Sequence, residues 1–190
     1  MTTQNHTERD DDKQAIAEVI DFWQAAGPAA WFTKDPDFDL RFREHFLQAH
    51  MAAARRELDH WASSPNGGLA LLILLDQFPR NAFRGTAHMF ATDPLALHFA
   101  EAIVEAKFDT LVDPALRLFC YLPFEHSENL ADQERSVLLH AGLDVSLRHY
   151  AEDHHRIIAR FGRFPHRNAS LGRATTAQEQ AFLDEGGFAG

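Results

Sequence analysis

The sequence predicts an all-α protein, and three observations support this prediction. Apolar residues recur at helical spacing along most of the chain, as between Phe38 and Phe46. Helix-start signals are frequent, because a capping side chain stands directly before proline at Ser64, Asp93 and Asp113. Strand signals are poor, since valine and isoleucine are sparse. Short links favour antiparallel neighbours, so we expect stacked helix pairs.

Eight helices follow from these signals, over residues 13–26, 37–58, 69–78, 93–107, 115–122, 129–143, 145–161 and 177–183. The first two carry apolar residues on one face, and the third is apolar nearly all round, so we expect it at the centre. The fourth follows an Asp-Pro start signal, and the fifth is a short apolar stretch. The sixth follows a capping serine or asparagine, the seventh shows helical spacing, and the last opens with a capping box from Thr176 to Glu179.

The chain has 190 residues, of which 45% are apolar, and this suits one compact domain. We expect that single all-α domain to cover residues 13–185. Residues 1–12 are polar and end in three aspartates, so they are predicted to form a flexible acidic tail. Residues 186–190 are predicted to be loose.

Net charge and cysteine usage exclude several classes of protein. The formal net charge is −10, which argues against binding to nucleic acids and to anionic membranes. The apolar run 69–75 is too short to span a bilayer, and the first residues show no signal segment. The single cysteine, Cys120, rules out a disulfide framework within the chain and fits a reducing compartment. We therefore expect a soluble, cytoplasmic protein.

One short phrase, in which arginine and asparagine follow a Phe-Pro pair, occurs twice. It reads Phe78-Pro79-Arg80-Asn81 at its first occurrence and Phe164-Pro165-His166-Arg167-Asn168 at its second. Because proline fixes its own φ and disfavours a helical residue before it, we expect a helix to end at each phenylalanine. The arginines would then lie beside free backbone N–H groups at a helix start, which is a favourable place for an anion.

The first polar segment begins at Asp76, where the most apolar helix of the chain ends. Asp76 and Gln77 must form hydrogen bonds if that helix end is buried. Arg80, Asn81 and Arg84 follow within two turns, and all five are candidate ligand-binding residues. Pairing of Asp76 with Arg80 or Arg84, with Asn81 capping a turn, is an equally good interpretation, since buried charges are usually paired.

The second polar segment begins at Glu125 and combines two carboxylates, an imidazole and a hydroxyl in successive positions. Ser127 or Asn129 would cap the following helix, with Glu128 at the positive end of its dipole. Glu125 and His126 lie before that cap, and capping explains them less well. A Glu–His pair can perform general acid–base chemistry near neutral pH, so Glu125 and His126 are the candidate catalytic residues.

The third polar segment, residues 154–173, holds five arginines, three histidines and no carboxylate. Such positive charge in an acidic chain needs anionic partners from the protein itself, a subunit or a ligand. Arginine suits carboxylates and phosphates because its guanidinium can bind them through two parallel hydrogen bonds. Arg156 and Arg160 are four apart and fit a solvated helix face. The candidates for ligand binding lie in or beside the bend: Arg163, His166, Arg167, Asn168 and Arg173.

Motifs for cofactors and metals are missing from the sequence. It has no His-Glu-x-x-His motif and no cysteine cluster, so no metal site is predicted. It also lacks a Gly-x-Ser-x-Gly elbow, a Walker loop and a Gly-x-Gly-x-x-Gly fingerprint, so no cofactor is predicted.

The three polar segments resemble the motifs of a bacterial family catalogued as domain of unknown function 924. The matching phrases are residues 74–81, 123–128, 160–168 and 171–173, together with Trp31, Phe32 and Asp39. The resemblance extends over nearly the whole chain after the polar tail. It implies an all-α fold similar to tetratricopeptide-like helix stacks, and it assigns no activity and no catalytic residue.

Three functions are compatible with these residues. The first is a pocket that binds a small carboxylate or phosphate ligand, in which Glu125 and His126 would move a proton if the protein is an enzyme. The second is a helical binding module whose arginines clamp a peptide carboxylate. The third is an internal salt-bridge network that joins helix ends and binds nothing. The segments contribute three acids, Asp76, Glu125 and Glu128, against five arginines, and this surplus slightly favours an anionic ligand.

Overall fold

The computed structural model describes residues 10–188 of the chain. Its α-helices are α1 (Asp10–Ala26), α2 (Pro28–Trp31), α3 (Pro36–Ala54), α4 (Pro65–Leu72), α5 (Phe78–Ala82), α6 (Asp93–Glu105), α7 (Leu122–Glu125), α8 (Leu130–His140), α9 (Val145–Phe161) and α10 (Ala177–Asp184). A π-helical segment, Ile73–Gln77, joins α4 to α5, and short 3₁₀ turns connect several of the others. These described residues contain no strand, so the prediction of an all-α fold is confirmed.

Helix α4 lies at the centre of the fold, as its apolar sequence predicts. Leu71 and Leu72 are fully buried, as is the first part of the π segment, and α4 contacts both α1 and α6. Each fully buried leucine side chain contributes roughly 2 kcal/mol relative to an exposed one, so α4 supplies a large share of the hydrophobic stabilisation. Gly68 permits the close contact with α6, because a Cβ atom there would lie 2.8 Å from Cδ1 of Ile103.

The helix that contains Pro79 does not end at Phe78, which corrects the break predicted there. The backbone continues in helical conformation from α4 through the π segment into α5. The N–H of Phe78 bonds to the carbonyl of Ile73, five residues earlier. Pro79 has no N–H to donate, and the wider π turn accommodates it within a continuous helix.

Two polar side chains bind carbonyl groups of this π segment. In an α-helix the carbonyl of Leu74 would accept from the N–H of Phe78, and that of Leu75 would face Pro79, which has no N–H to donate. Neither bond forms, so Nδ1 of His50 donates to the Leu74 carbonyl across 2.9 Å. Oγ1 of Thr92 donates to the Leu75 carbonyl across 2.5 Å.

The amino-terminal helix begins before the predicted limit. Helix α1 starts at Asp10, and Asp12 accepts hydrogen bonds from the side chains of His60 and Trp61. Acidic residues in the first turn are favourable there because the helix dipole is positive at its amino-terminal end. The rest of the predicted acidic tail, residues 1–9, lies outside the described residues.

The last described residue also makes contacts in a segment predicted to be loose. The ring of Phe188 lies 4.5 Å from that of His154 and 5.1 Å from that of His166, measured between centroids. Residues 189–190 lie outside the described part of the chain. The predicted boundary at residue 186 is therefore too early for Phe188.

Two predicted helices differ in the structure. Residues 115–122 form a 3₁₀ turn, Arg117–Cys120, instead of a fifth α-helix, and α7 follows it. Helix α3 ends at Ala54, short of the predicted residue 58, because the chain turns at Arg56, which has a φ of 65°. The capping predictions fare better, since Ser64 accepts from the N–H of Gly67 and the capping box of α10 forms.

Neighbouring helices pack in pairs, and the most extensive contact joins α8 to α9. The likeness to tetratricopeptide stacks remains a prediction.

Among the described residues, no helix is long and apolar enough to cross a membrane. Cys120 is fully buried, and burial raises the pKa of its thiol to about 12, which fits a small core residue.

Candidate functional site

The three polar segments meet in space. Asp76 lies in the π segment and accepts a hydrogen bond of 2.7 Å from Nδ1 of His126 in the second segment. The carbonyl of His126 accepts a hydrogen bond of 2.9 Å from Nη2 of Arg167 in the third. A π turn within a longer helix is frequent at functional sites, and here it places Asp76 beneath the imidazole.

The carboxylate of Asp76 is buried and ionised. Its Oδ2 accepts from the Gln77 amide at 2.6 Å, and its Oδ1 lies 3.2 Å from Nη1 of Arg80. Burial works to raise the pKa of Asp76, but Arg80 and His126 outweigh it and hold that pKa at about 2. Burial and the charge of Arg80 lower the pKa of His126 despite the nearby carboxylate, so His126 is neutral at pH 7.

Asp93 joins two arginines at the edge of this site. Its carboxylate receives two hydrogen bonds from Arg80, at 2.9 and 3.1 Å, and one from Arg167 at 3.2 Å. Its side chain is 15% exposed, and that of Arg80 is 16% exposed, so the contact lies near the surface. The sequence predicts Asp93 as a helix cap, and this is wrong, because Thr92 occupies the cap position.

The guanidinium group of Arg167 packs against two aromatic rings. The group lies 4.7 Å from the ring centre of Phe90 and 4.5 Å from that of Phe164, and such cation–π contacts fix its plane. Burial lowers the pKa of Arg167 to about 10, so the group is still charged at neutral pH. Its Nε atom is buried without a hydrogen-bond partner among the described residues.

Gln133 fixes the backbone that carries His126. Its Nε2 donates to the carbonyls of Glu125 at 2.6 Å and Ser127 at 2.7 Å, with a longer contact of 3.4 Å to that of Phe124. Asn129 caps α8 by accepting from the N–H of Ala131, as predicted. These bonds hold His126 in the bend between α7 and α8.

Glu125 points into the interior, away from the edge where Asp93 lies. Its Oε2 is 3.2 Å from Nε2 of His140, and its Oε1 is 3.5 Å from Nδ1 of His154. Burial, and secondarily the charge of Asp76, raises the pKa of Glu125 to about 8. Glu125 and His126 therefore have different partners and do not form the pair that the sequence predicts, because Glu125 contacts His140 and His154 whereas His126 bonds to Asp76.

Arg84 lies to one side of this cluster. It forms two hydrogen bonds with Asp39, at 2.9 and 3.1 Å, and one with Oδ1 of Asn81 at 3.2 Å. The amide of Asn81 donates to the carbonyl of Gln77. Arg84 and Asn81 are therefore neighbours of the site rather than part of it.

The arginines at the end of the third segment pair with other carboxylates. Arg163 binds Glu179 through two hydrogen bonds, at 2.6 and 2.9 Å. Arg173 binds Glu128 in the same way, also at 2.6 and 2.9 Å, and Glu128 accepts from the N–H of Phe164. These pairs join the carboxyl-terminal region to the rest of the fold and lie apart from Asp76.

His166 and Asn168 do not face the same cluster. The ring of His166 packs against Phe188, and burial followed by the charge of Arg167 lowers its pKa to about 3. The carbonyl of Asn168 accepts from the N–H of Arg173, and its amide contacts Thr175 at 3.4 Å. Both residues shape the bend that places Arg167.

The arrangement balances the charge that the sequence left unpaired. Each of the five candidate arginines contacts a carboxylate, and three of those carboxylates, Asp39, Asp93 and Glu179, come from outside the polar segments. The surplus of two positive charges therefore disappears. Four residues of this cluster were not among the predicted candidates: Asp93, Gln133, His140 and His154. Gln133 and His140 lie in regular helical sequence that gives no signal, whereas His154 lies at the start of the third polar segment.

The described residues offer no metal site, and their groove lies away from the polar cluster. Among residues 10–188, no group of three histidine, cysteine or carboxylate side chains is arranged to hold a metal ion. A groove of about 460 Å³ lies between α8 and α9, and its lining residues belong to neither the Asp76 nor the Asp93 cluster: Glu134, Val137, Leu138, Glu152, His155 and Arg156.

The fold and the buried polar cluster define an all-α protein with arginine–carboxylate pairs at its centre and edge. The model of the family described as bacterial protein of unknown function (DUF924) matches residues 19–187, so the chain belongs to this family. The chain is similar to the solved structure of the protein of unknown function ATU0120 from Agrobacterium tumefaciens. The two share 51% identity and a TM-score of 0.89, with 91% of this chain and 98% of the other covered. No curated protein matches the chain.

Proposed function

We propose that the protein binds a small carboxylate or phosphate at the edge formed by Arg80, Asp93, Arg167 and His126, and that His126 exchanges a proton with the bound anion. The observation that carries this proposal is the geometry around Asp93, whose carboxylate is bound by two guanidinium groups near the surface. Arg80 and Arg167 thus already bind one carboxylate of the chain. A free carboxylate or phosphate has the same chemistry and can compete for the same donors.

His126 is the residue suited to proton transfer in this proposal. The Asp76 carboxylate accepts a hydrogen bond from Nδ1–H of His126 and so fixes the ring, which leaves the lone pair on Nε2. The imidazole side chain is 14% exposed. A buried carboxylate that orients a neutral histidine is the arrangement that general bases use. In the proposed reaction Asp76 replaces Glu125 as the partner of His126.

A structural network is the second candidate, and one specific observation favours it. Each candidate arginine contacts a carboxylate of the chain, so no guanidinium group requires a ligand for charge balance. In this alternative Asp93 is a permanent bridge between α5 and the 3₁₀ turn Pro165–Arg167. The binding of a peptide carboxylate is a special case of the first proposal, since Arg80 and Arg167 would recognise the same group.

The expectations for other partners stand as part of the proposal. A net charge of −10 supports a protein that binds neither nucleic acid nor membranes. A chain whose single cysteine is fully buried is suited to the reducing conditions of the cytoplasm.

The test is thermal unfolding in phosphate, acetate and a peptide with a free carboxylate, each against chloride at equal ionic strength. The amidated peptide controls for the carboxylate. The variants are Arg167→Met and, as a matched control, Arg156→Met on the exposed face of α9. At 100 times its Kd a ligand stabilises the native state by about 2.7 kcal/mol, which is a shift of several degrees. We expect that shift in the wild type and in Arg156→Met and its loss in Arg167→Met.

The opposite result would support the structural network. In that case no anion shifts the unfolding temperature of the wild type, and Arg167→Met lowers this temperature equally in every buffer. Arg167→Lys keeps the charge without the planar fork. We therefore expect an intermediate anion response from Arg167→Lys. This variant replaces Arg167→Met in the test if Arg167→Met fails to fold.

A further inference from the structure

The side chains of Glu125 and His140 form a buried contact. Oε2 of Glu125 lies 3.2 Å from Nε2 of His140, and the two side chains are 6% and 1% exposed. Within residues 10–188 neither atom forms a hydrogen bond of standard geometry, and this 3.2 Å contact joins the two. Because buried polar atoms are almost always hydrogen-bonded, we expect a proton between these two atoms.

The number of protons in this contact follows from the bonds around it. Nδ1 of His140 lies 2.9 Å from the carbonyl of Ser136, which can only accept, so Nδ1 carries a proton. Nε2 then has a lone pair unless His140 is charged. With Glu125 ionised and His140 neutral, two lone pairs would face each other at 3.2 Å. One shared proton removes this repulsion.

The surroundings decide which partner holds that proton. His154 lies beside Oε1 of Glu125, but its Nδ1–H donates to the carbonyl of Tyr150 at 2.8 Å. A neutral His154 therefore supplies no positive charge that would stabilise an ionised Glu125. A charged pair would also be buried, which costs several kcal/mol per ion before any attraction is gained. The titratable and charged groups that act on Glu125 and its histidines are Asp76, Arg80, Asp93, His126, His140, His154 and Arg167, together with Tyr121 against the ring of His140 and His166 near His154.

We propose that Glu125 holds the shared proton as a neutral carboxylic acid bonded to neutral His140, and that its neutrality keeps His126 available as a base. Glu125 is thus a positioning residue that acts through charge and not through contact with a ligand. The second half of this statement rests on the proposed function, while the first half does not.

The chemistry explains why two carboxylates so close in the fold differ. Asp76 is surrounded by donors and is ionised, whereas Glu125 faces histidines that donate their protons elsewhere. Burial followed by the charge of Asp76 raises the pKa of Glu125, and Arg80 and His126 overcome burial to lower that of Asp76. Environments that separate two carboxyl groups in this way are typical of acid–base sites. An ionised Glu125 would place a second negative charge beside His126 and favour its charged form.

The experiment follows the carboxyl carbon of Glu125 and the ring of His126 by NMR as the pH is changed. In the wild type we expect Glu125 to titrate above pH 7, whereas ordinary glutamates titrate near 4.3. Glu125→Gln is the neutral mimic, so the midpoint of His126 should stay within about 0.3 pH units of the wild type, a small fraction of the usual spread of histidine values. Glu134→Gln on α8 is the matched control.

Two results would overturn the proposal. The first is an ionised Glu125 carboxylate at pH 6 in the wild type, which requires no variant to fold. The second is a fall of about one pH unit or more in the midpoint of His126 in Glu125→Gln, which would mean that the variant removes a negative charge. Neither result depends on anion binding, so failure of the proposed function remains distinguishable.

Discussion

The imidazole of His126 donates its Nδ1 proton to the buried carboxylate of Asp76 across 2.7 Å. The two residues are 50 positions apart, and their contact joins the π turn of the central helix to the bend before α8. Arg80 shares the same carboxylate oxygen at 3.2 Å. Asp76 therefore compensates a buried positive charge and fixes the tautomer of a histidine at the same time.

Replacement of Asp76 by asparagine should strongly destabilise the protein. The change removes the charge that Arg80 and His126 share, and breaking a buried ion pair typically costs about 3–5 kcal/mol. Urea unfolding followed by circular dichroism measures the free energy of unfolding directly. The matched control is Glu57→Gln, which breaks the exposed Arg55–Glu57 pair and should change the free energy of unfolding far less, because solvent screens an exposed ion pair.

A loss of stability in Asp76→Asn no larger than that of the control would contradict this account. It would mean that Asp76 is not an ionised anchor and that water replaces its contacts. The order of the two variants is the informative result, because absolute costs of ion pairs depend on their surroundings.

Stability should fall in acid because His154 is buried as a neutral ring. Burial lowers its pKa from 6.5 to about 4, so below pH 6.5 the unfolded chain binds a proton that the folded chain does not. The stability from this group is present above pH 6.5 and is lost as the pH falls towards 4, by about 1.4 kcal/mol per pH unit. His154→Phe should abolish this part of the slope.

The readout is the difference in unfolding free energy between wild type and variant at each pH. This difference should change by about 3 kcal/mol between pH 6.5 and 4. Glu125, whose pKa is raised to about 8, contributes the opposite slope and contacts His154, so both proteins are also compared in the Glu125→Gln background, which lacks that slope. Phe161→Leu is the control for packing, and it should shift stability equally at every pH. A parallel curve for His154→Phe would contradict the prediction, because it would show that the pKa of His154 is the same in the folded and the unfolded chain.

The sequence predicted the long helices better than the segments that connect them. Helical spacing and capping residues identify long amphipathic helices such as α1 and α9, because these signals are local. The break predicted at Pro79 was wrong, since His50 and Thr92 bind the carbonyls around it from distant parts of the chain. A tertiary contact of this kind leaves no local pattern.

The site was predicted in part for the same reason. Asp76, Arg80, His126 and Arg167 meet, as the pocket hypothesis requires. Arg84 and Arg163 do not join them, because Asp39 and Glu179, which no sequence pattern connects with these arginines, bind them elsewhere. Glu125 also turns inward, since which of two adjacent side chains faces a cavity depends on how the bend packs.

Phosphate binding to Asp93→Asn tests the central claim most directly. The variant removes the carboxylate that occupies Arg80 and Arg167 and leaves both guanidinium groups in place. Isothermal titration at fixed ionic strength should show phosphate binding at least about tenfold tighter than in the wild type, a gain of about 1.4 kcal/mol. Asp39→Asn, which releases Arg84 instead, should bind phosphate as the wild type does. If Asp93→Asn loses stability and binds phosphate no better than the wild type, then Asp93 is a structural bridge and the proposed anion site does not exist.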